Sequence, residues 1–265
     1  MASLRVLVTG SNRGLGLGLV SAYAERGDHV LAVCRQTSPE LEALGVEVID
    51  GIDLTDTDAV AQLTDRVGPQ GVDALICNAG INKDSAGLDD IDVTNLAEMF
   101  DVNTLGCIRV VLAVLPRMKK GAKIMLINSM GLVPFGILGA RTVGNYGYRM
   151  SKAALISFGH ALAGDVRERG IAVALASPGR VDTPMLRTVY SEGRTSKAAI
   201  DEAADIYAVG RMLRTRMDEL TLDHSPAFQR DPEGNLAVPP HILRLLQEAN
   251  STQVGQAGEL ASIRK

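Results

Sequence analysis

The chain has 265 residues, 46% of them hydrophobic and 22% charged, with a formal net charge of −4 at pH 7. That balance excludes a disordered chain and leaves one large domain or two small ones by length alone. With no Trp, four Phe and five Tyr, an aromatic base-stacking platform is excluded, and the one basic run, Arg211–Arg216, reads as a solvated helix face rather than a phosphate-backbone stripe, so no nucleic-acid partner is expected.

Short aliphatic runs alternate with amphipathic segments along the first two-thirds of the chain. Strands are expected at Leu4–Thr9, Val30–Cys34, Val46–Asp50, Ala74–Cys77, Lys123–Asn128 and Ile171–Ala176, nearly continuous in apolar residues as strands buried on both faces are. Helical periodicity covers Gly14–Glu25, Asp56–Val67, Asn95–Met118 and Tyr148–Arg169. This alternation predicts a single α/β domain, a Rossmann-like doubly wound parallel sheet of about seven strands with helices on both faces. Thr183–Ser196 lacks a clear period and reads as a loop, followed by a helix from about Lys197 to Arg216 and a last strand around Pro226–Arg230. Asp231-Pro232-Glu233-Gly234 signals a turn, Ile242–Ala249 a short helix, and Asn250–Lys265 a polar tail. The organisation expected is therefore a domain over 1–240, with a substrate loop at about 183–200, and a C-terminal extension over 241–265.

Cys34, Cys77 and Cys107 show no metal-ligand spacing, and each lies in an apolar run, which predicts buried reduced thiols and no metal. The chain runs directly into a strand, and its longest charge-free stretch, the 17 residues Ile124–Ala140, is broken by Asn128 and Pro134. The expectation is a cytoplasmic protein with no membrane partner. His29, His160, His224 and His241 are scattered without a carboxylate or ligand pattern, which gives them structural roles.

Directly after the first strand, Thr9-Gly10-Ser11-Asn12-Arg13-Gly14-Leu15-Gly16 opens a helix. Glycines here allow a tight turn and let main chain and helix N-terminus approach a pyrophosphate, which predicts nucleotide binding. An NAD site usually places a carboxylate at the end of the second strand, but here that strand ends Val33-Cys34-Arg35-Gln36. Arg35 and Arg13 together suit a ribose 2′-phosphate and predict NADP(H).

Tyr148 and Lys152 stand i, i+4, sharing one helix face a turn apart. A phenol titrates near pH 10, and a neighbouring ammonium, joined by the positive charge of an oxidised nicotinamide ring, is expected to lower that value toward neutrality. Tyr148 would then serve as general acid in carbonyl reduction and general base in alcohol oxidation.

Taken in chain order, Thr9-(x)3-Arg13-Gly14-Leu15-Gly16, Cys77-Asn78-Ala79-Gly80, Asn103, Ser129, Tyr148-(x)3-Lys152 and Pro178-Gly179 resemble the short-chain dehydrogenase/reductase family over about residues 4 to 185. The run Tyr146–Leu155, with Leu220–Asp223 and Asp231–Gly234, resembles the branch of Sniffer-type carbonyl reductases and bacterial C-factor. The resemblance implies that Ser129 bonds the substrate oxygen, that Lys152 lowers the Tyr148 pKa and bonds the nicotinamide ribose, and that Asn103 holds a water in the proton relay. It implies cofactor contacts from Gly10 to Gly16, at Arg35, at Asp53-Leu54 beside the adenine, and at Asn78-Ala79-Gly80. Tyr148, Lys152, Pro178, Gly179, Val181 and Thr183 complete the cofactor set, the last four on the nicotinamide side. Cys77 stands where the family commonly has Asn, and Asn128 where it often has a second serine.

Ser129 and Tyr148 lie nineteen positions apart, more than the family commonly shows. The intervening Leu132–Leu138, with Phe135, is apolar and reads either as core or subunit contact or as the roof of a pocket for a largely apolar substrate. The resemblance also implies a homodimer or homotetramer through the helices at about 95–118 and 148–169. The leading expectation is an NADP(H)-dependent oxidoreductase interconverting a ketone or aldehyde and its alcohol. Two alternatives stay open: an NAD-preferring alcohol dehydrogenase, and a non-catalytic NADP(H)-sensing signalling protein.

Overall fold

The computed structural model describes residues 3–129 and 144–229. The expectations for Leu132–Leu138, for Asp231–Gly234 and for the extension over 241–265 lie outside the described residues.

Seven strands form one parallel sheet in the order β3-β2-β1-β4-β5-β6-β7: β1 (Arg5–Thr9), β2 (His29–Val33), β3 (Glu47–Ile49), β4 (Val72–Cys77), β5 (Met118–Ile127), β6 (Ala172–Ala176) and β7 (Ala227–Gln229). β1 pairs with β2 on one side and β4 on the other, so the chain reverses its winding there and opens a crevice at the strands' carboxyl ends. Alternate residues of β1, β2, β4, β5 and β6 enter two separate cores. Leu7, Leu31, Leu75 and Ile124 pack on one face, while Val6, Val8, Ala32 and Ile76 pack on the other. Burial on both faces is why the strands carry no polar alternation.

On the second face, α1 (Gly14–Glu25) packs against α10 (Ile206–Glu219), where Gly18 and Gly210 bring the two backbones close together. The first face carries α3 (Thr57–Ala61), α4 (Leu63–Val67), α6 (Cys107–Val114) and α7 (Tyr146–Val166). The helical run at 93–117 begins at α5 (Val93–Phe100), capped by Asp92 at the Thr94 amide, passes through a π-helical turn at Asp101–Gly106, and continues as α6. By length and composition alone this run could cross a membrane, but Met99, Val110, Val111 and Val114 are buried within the protein.

Several segments differ from expectation. Asp56–Val67 is two helices broken at Gln62, and a short α2 (Pro39–Glu42) capped by Ser38 was not foreseen. Thr183–Ser196 is largely helical rather than a loop: the Thr183 hydroxyl accepts from the Leu186 amide, and Pro184 starts α8 (Pro184–Ser191). The single helix expected over Lys197–Arg216 is interrupted, with α9 (Lys197–Asp201) ending before Asp205 caps α10. Sequence periodicity undervalued these caps because α8 and α9 are too short to show two full turns of pattern. The last strand falls at Ala227–Gln229, inside the expected run.

Candidate active site

The crevice floor begins at the glycine loop. Gly10 takes φ +68°, and its amide and that of Ser11 donate to the Val33 carbonyl at 2.9 and 3.3 Å. A Cβ at Gly16 would lie 2.0 Å from the Gly10 carbonyl oxygen, so only glycine lets the first turn of α1 rest on the loop. Asn78 holds the loop from the far side, its Nδ2 donating to the carbonyls of Thr9 (2.9 Å) and Gly10 (3.2 Å). The Thr9 hydroxyl in turn accepts from the amides of Asn78 and Ala79. Arg13 is the extended N-cap of α1 and makes no capping bond, and no acid lies in that helix's first turn. Among the described residues the opening amides of α1 therefore have no side-chain acceptor, and Gly10, Gly14 and Gly16 let the loop pack tightly against Ala79, Thr183 and itself with no side chain of their own. Ser11, Asn12, Leu15 and the three glycines thus form a cradle that fits a pyrophosphate.

Arg35 and Arg13 are both exposed beside this cradle. Arg35 Nη1 lies 3.6 Å from Asp53 Oδ2, a contact the sequence did not suggest. Two bonds from Thr55 hold the Asp53 carboxyl below its usual range, with Arg35 adding to the same effect. Leu54 is buried and packs under Gly106. On the opposite rim, Gly179 takes φ +76°, Val181 bridges to Ala204, and Thr183 touches Gly14, where a Cβ would meet Thr183 Cγ2 at 3.3 Å. Pro178 stands just past the end of β6 on that rim.

The reacting end is assembled from β4, β5, the π-turn and α7. Lys152 is 3% exposed, and its Nζ donates to the Ile127 carbonyl at 2.9 Å, with the same nitrogen 5.6 Å from the centre of the Tyr148 ring. Asn128 Nδ2 donates to the Lys152 carbonyl (3.0 Å), and Asn128 Oδ1 accepts from the Ser129 amide (2.6 Å). Ser129 is thereby tied through Asn128 to the helix that carries Tyr148 and Lys152. Asn103, 1% exposed in the π-turn, has its Oδ1 accepting from the Ile81 amide (2.8 Å) while its Nδ2 donates to the Ile81 carbonyl and Ser151 Oγ. A Cβ at Gly80 would stand 3.1 Å from Asn103 Oδ1 and 3.8 Å from Lys152 Nζ, so all three meet at one point.

Burial governs the charges here. It pushes the Tyr148 phenol up to about 12 and the Lys152 ammonium down to about 8. Burial by itself thus raises the phenol pKa, opposite to the lowering expected from a neighbouring ammonium and an oxidised nicotinamide together.

Residues outside the sequence motifs complete this end. Asp84 Oδ2 accepts from the Tyr148 amide at 2.8 Å, and Arg194 Nη1 donates to Asn82 Oδ1 at 3.0 Å. No local pattern marks either contact, since they join positions 64 and 112 residues apart. Ser151, next to Lys152, was within reach of sequence reasoning as a polar residue on a buried helix face.

A parallel sheet with a glycine cradle at its winding reversal and a Tyr–Lys pair on the neighbouring crevice wall defines a nucleotide-dependent oxidoreductase. The sequence profile described as short chain dehydrogenase matches residues 5–193, and the chain belongs to that family. It is 32% identical over 228 residues to a 1-hydroxy-2-glutathionyl-2-methyl-3-butene dehydrogenase from Rhodococcus sp. (strain AD45), covering 84% of this chain and 95% of the relative. Among solved structures, the carbonyl reductase Sniffer of D. melanogaster superposes with a TM-score of 0.72 at 25% identity, over 88% of this chain and 98% of that one. A short chain dehydrogenase from Burkholderia cenocepacia, solved in complex with NADP, gives 0.69 at 26% identity, over 86% and 95%. The chain is thus an NAD(P)(H)-dependent oxidoreductase acting on carbonyl and alcohol groups, and it resembles the Sniffer-type branch.

Proposed function

We propose that the protein is an NADP(H)-dependent carbonyl reductase or alcohol dehydrogenase in which Tyr148 transfers the proton. The observation that carries this reading is the anchoring of Lys152 Nζ on the Ile127 carbonyl, two residues before Ser129 and one turn from Tyr148. It brings a hydroxyl donor, a phenol and an ammonium to one wall of the crevice. A nicotinamide held by the cradle would supply or accept the hydride, and the remaining steps fall to side chains. Ser129 donates to the substrate oxygen and fixes the carbonyl in the crevice. Tyr148, a neutral phenol at physiological pH, gives its proton to that oxygen as negative charge develops. Lys152 stands beside the phenol to restore the proton, with Asn103 shaping the path at Gly80.

Preference for NADP(H) rests on Arg35 and Arg13 at the adenosine end and on the absence of a carboxylate at the end of β2. The NADP complex of the Burkholderia relative supports the same reading. A largely apolar small-molecule substrate is proposed from the apolar run Leu132–Leu138 in the sequence between Ser129 and Tyr148. Homodimer or homotetramer formation is supported by exposed Leu105, Leu112 and Met150 along the π-turn, α6 and α7. Three free, buried cysteines suit a reducing cytoplasm.

A carbonyl panel with NADPH and NADH in parallel tests this function. Tyr148→Phe is expected to lower kcat by about 100- to 10,000-fold with NADPH affinity retained. Full turnover by that variant would overturn the assignment.

A further inference from the structure

The N-terminus of α7 is capped from outside its own helix. Asn145, its N-cap residue, takes φ +54° and makes no capping bond, and the first intrahelical bond is Arg149 N to Asn145 O at 3.0 Å. The Tyr148 amide, one residue earlier, therefore has no acceptor within the helix. Asp84 supplies it, with Oδ2 at 2.8 Å, while Asp84 Oδ1 accepts from the Ser85 amide at 3.1 Å. Asp84 is itself buried, and its amide donates to Asn82 Oδ1 at 3.2 Å.

The same Asn82 oxygen accepts from Arg194 Nη1 at 3.0 Å. Arg194 Nη1 also reaches Asn145 Oδ1 at 3.4 Å, and Asn82 Nδ2 donates to that oxygen at 3.4 Å. The Arg194 side chain is only 4% exposed, and Glu192 neutralises it at 2.5 Å. Arg194 lies between α8 and α9, on the segment that starts at Thr183 against Gly14 of the glycine loop. That segment thus spans the crevice, touching the cofactor cradle at one end and the start of α7 at the other.

We propose that Asp84 is a positioning residue for Tyr148, and that Arg194 is a clasp joining the α8–α9 segment to it through Asn82 and Asn145. Seating this segment over the crevice and fixing the first turn of α7 are then one event. A buried guanidinium shared between two amides gives that event a defined geometry. The catalytic part of this inference rests on the reading of Tyr148 as proton donor; the clasp itself does not.

The test uses the full chain with Arg194→Met, Arg194→Lys, Asp84→Ala and Asp84→Asn. Amide hydrogen exchange of residues 144–150 is measured alongside kcat, KM and NADPH binding. Exchange at Tyr148 is expected to quicken at least tenfold in Asp84→Ala and in both Arg194 variants, with NADPH affinity within about twofold of the parent. Arg194→Met is expected to raise KM and lower kcat, and Asp84→Ala to lower kcat about tenfold. Asp84→Asn, which keeps one acceptor, is expected to restore most of that loss. Exchange unchanged within twofold in the Arg194 variants overturns the clasp, and a kcat loss that Asn does not rescue overturns the positioning role. Should Tyr148→Phe retain turnover, the proton-donor reading and the positioning role with it fall, while the exchange measurement still decides the clasp.

Discussion

The two walls of the crevice are built from different parts of the chain's chemistry. At the β1 side the wall is main chain: Gly10 in a left-handed turn, Gly16 beneath it, and the uncapped amides of α1. At the β5–α7 side it is side chains reaching across the fold, Asn128 to Lys152, Asn103 to Ile81 and Asp84 to Tyr148. A backbone cradle binds a group common to many nucleotides and tolerates little variation at its glycines. A side-chain wall can be retuned residue by residue without losing the turn that holds the phosphates. If this contrast is right, one added methyl group should ruin the first wall, while the second should answer to pH and to single charges.

The largest effect is expected from Gly16→Ala. Its new Cβ would stand 2.0 Å from the Gly10 carbonyl and 2.7 Å from Asn78 Nδ2, so the loop or the helix must shift. Overpacking of this kind costs about 1–3 kcal/mol, and the cradle loses its shape as well. NADPH binding followed by fluorescence should be abolished, with the melting temperature lowered by several degrees. Binding within threefold of the parent would show that the cradle is softer than its geometry implies.

The same contrast explains what the sequence made legible. The glycine loop, the core strands and the Tyr148–Lys152 spacing were readable because each is a local pattern, a turn, an aliphatic run or an i, i+4 pair. Asp84 and Arg194 were not, because nothing in Asn82-Lys83-Asp84 or Gly193-Arg194 distinguishes a buried cap from a solvated loop. The helical character of Pro184–Ser191 was missed for a related reason, since its Thr183 cap counts for more than its short hydrophobic pattern. Spacing reports the ammonium beside Tyr148 but not the burial of the phenol, which by itself raises its pKa.

That burial makes the reacting wall pH-sensitive. Lys152 is held near 8, so it is protonated below that pH and neutral above it. If the proposed proton path through Lys152 operates, carbonyl reduction should be level at lower pH and fall by about tenfold per unit once pH passes roughly 8. Alcohol oxidation needs the phenolate of Tyr148 and should instead climb with pH. Stability should move opposite to the reductive rate. The unfolded chain keeps the lysine proton to near 10.5, so between about 8 and 10.5 it binds more protons than the folded one. Stability therefore rises with pH across that window, by on the order of 3 kcal/mol from this group. A reductive profile with no limb near 8, measured with stability across the same range, would separate Lys152 from the proton path.

The smallest expected effect concerns the adenosine end of the crevice, at the exposed pair of Arg35 and Asp53. With side chains 66% and 43% exposed and 3.6 Å between charges, the pair adds little to stability. On the proposed NADP(H) reading, it would hold part of the guanidinium's charge away from a ribose 2′-phosphate. Asp53→Asn can keep the acceptor for the Thr55 amide and hydroxyl at Oδ1 while removing that competition. NADPH affinity should rise about two- to fivefold at low salt and NADH affinity should stay within error, with the gain fading as ionic strength increases. An equal change for both cofactors would mean that Asp53 acts on the adenine rather than through Arg35. The preference for NADP(H) would then have to rest on Arg13 alone.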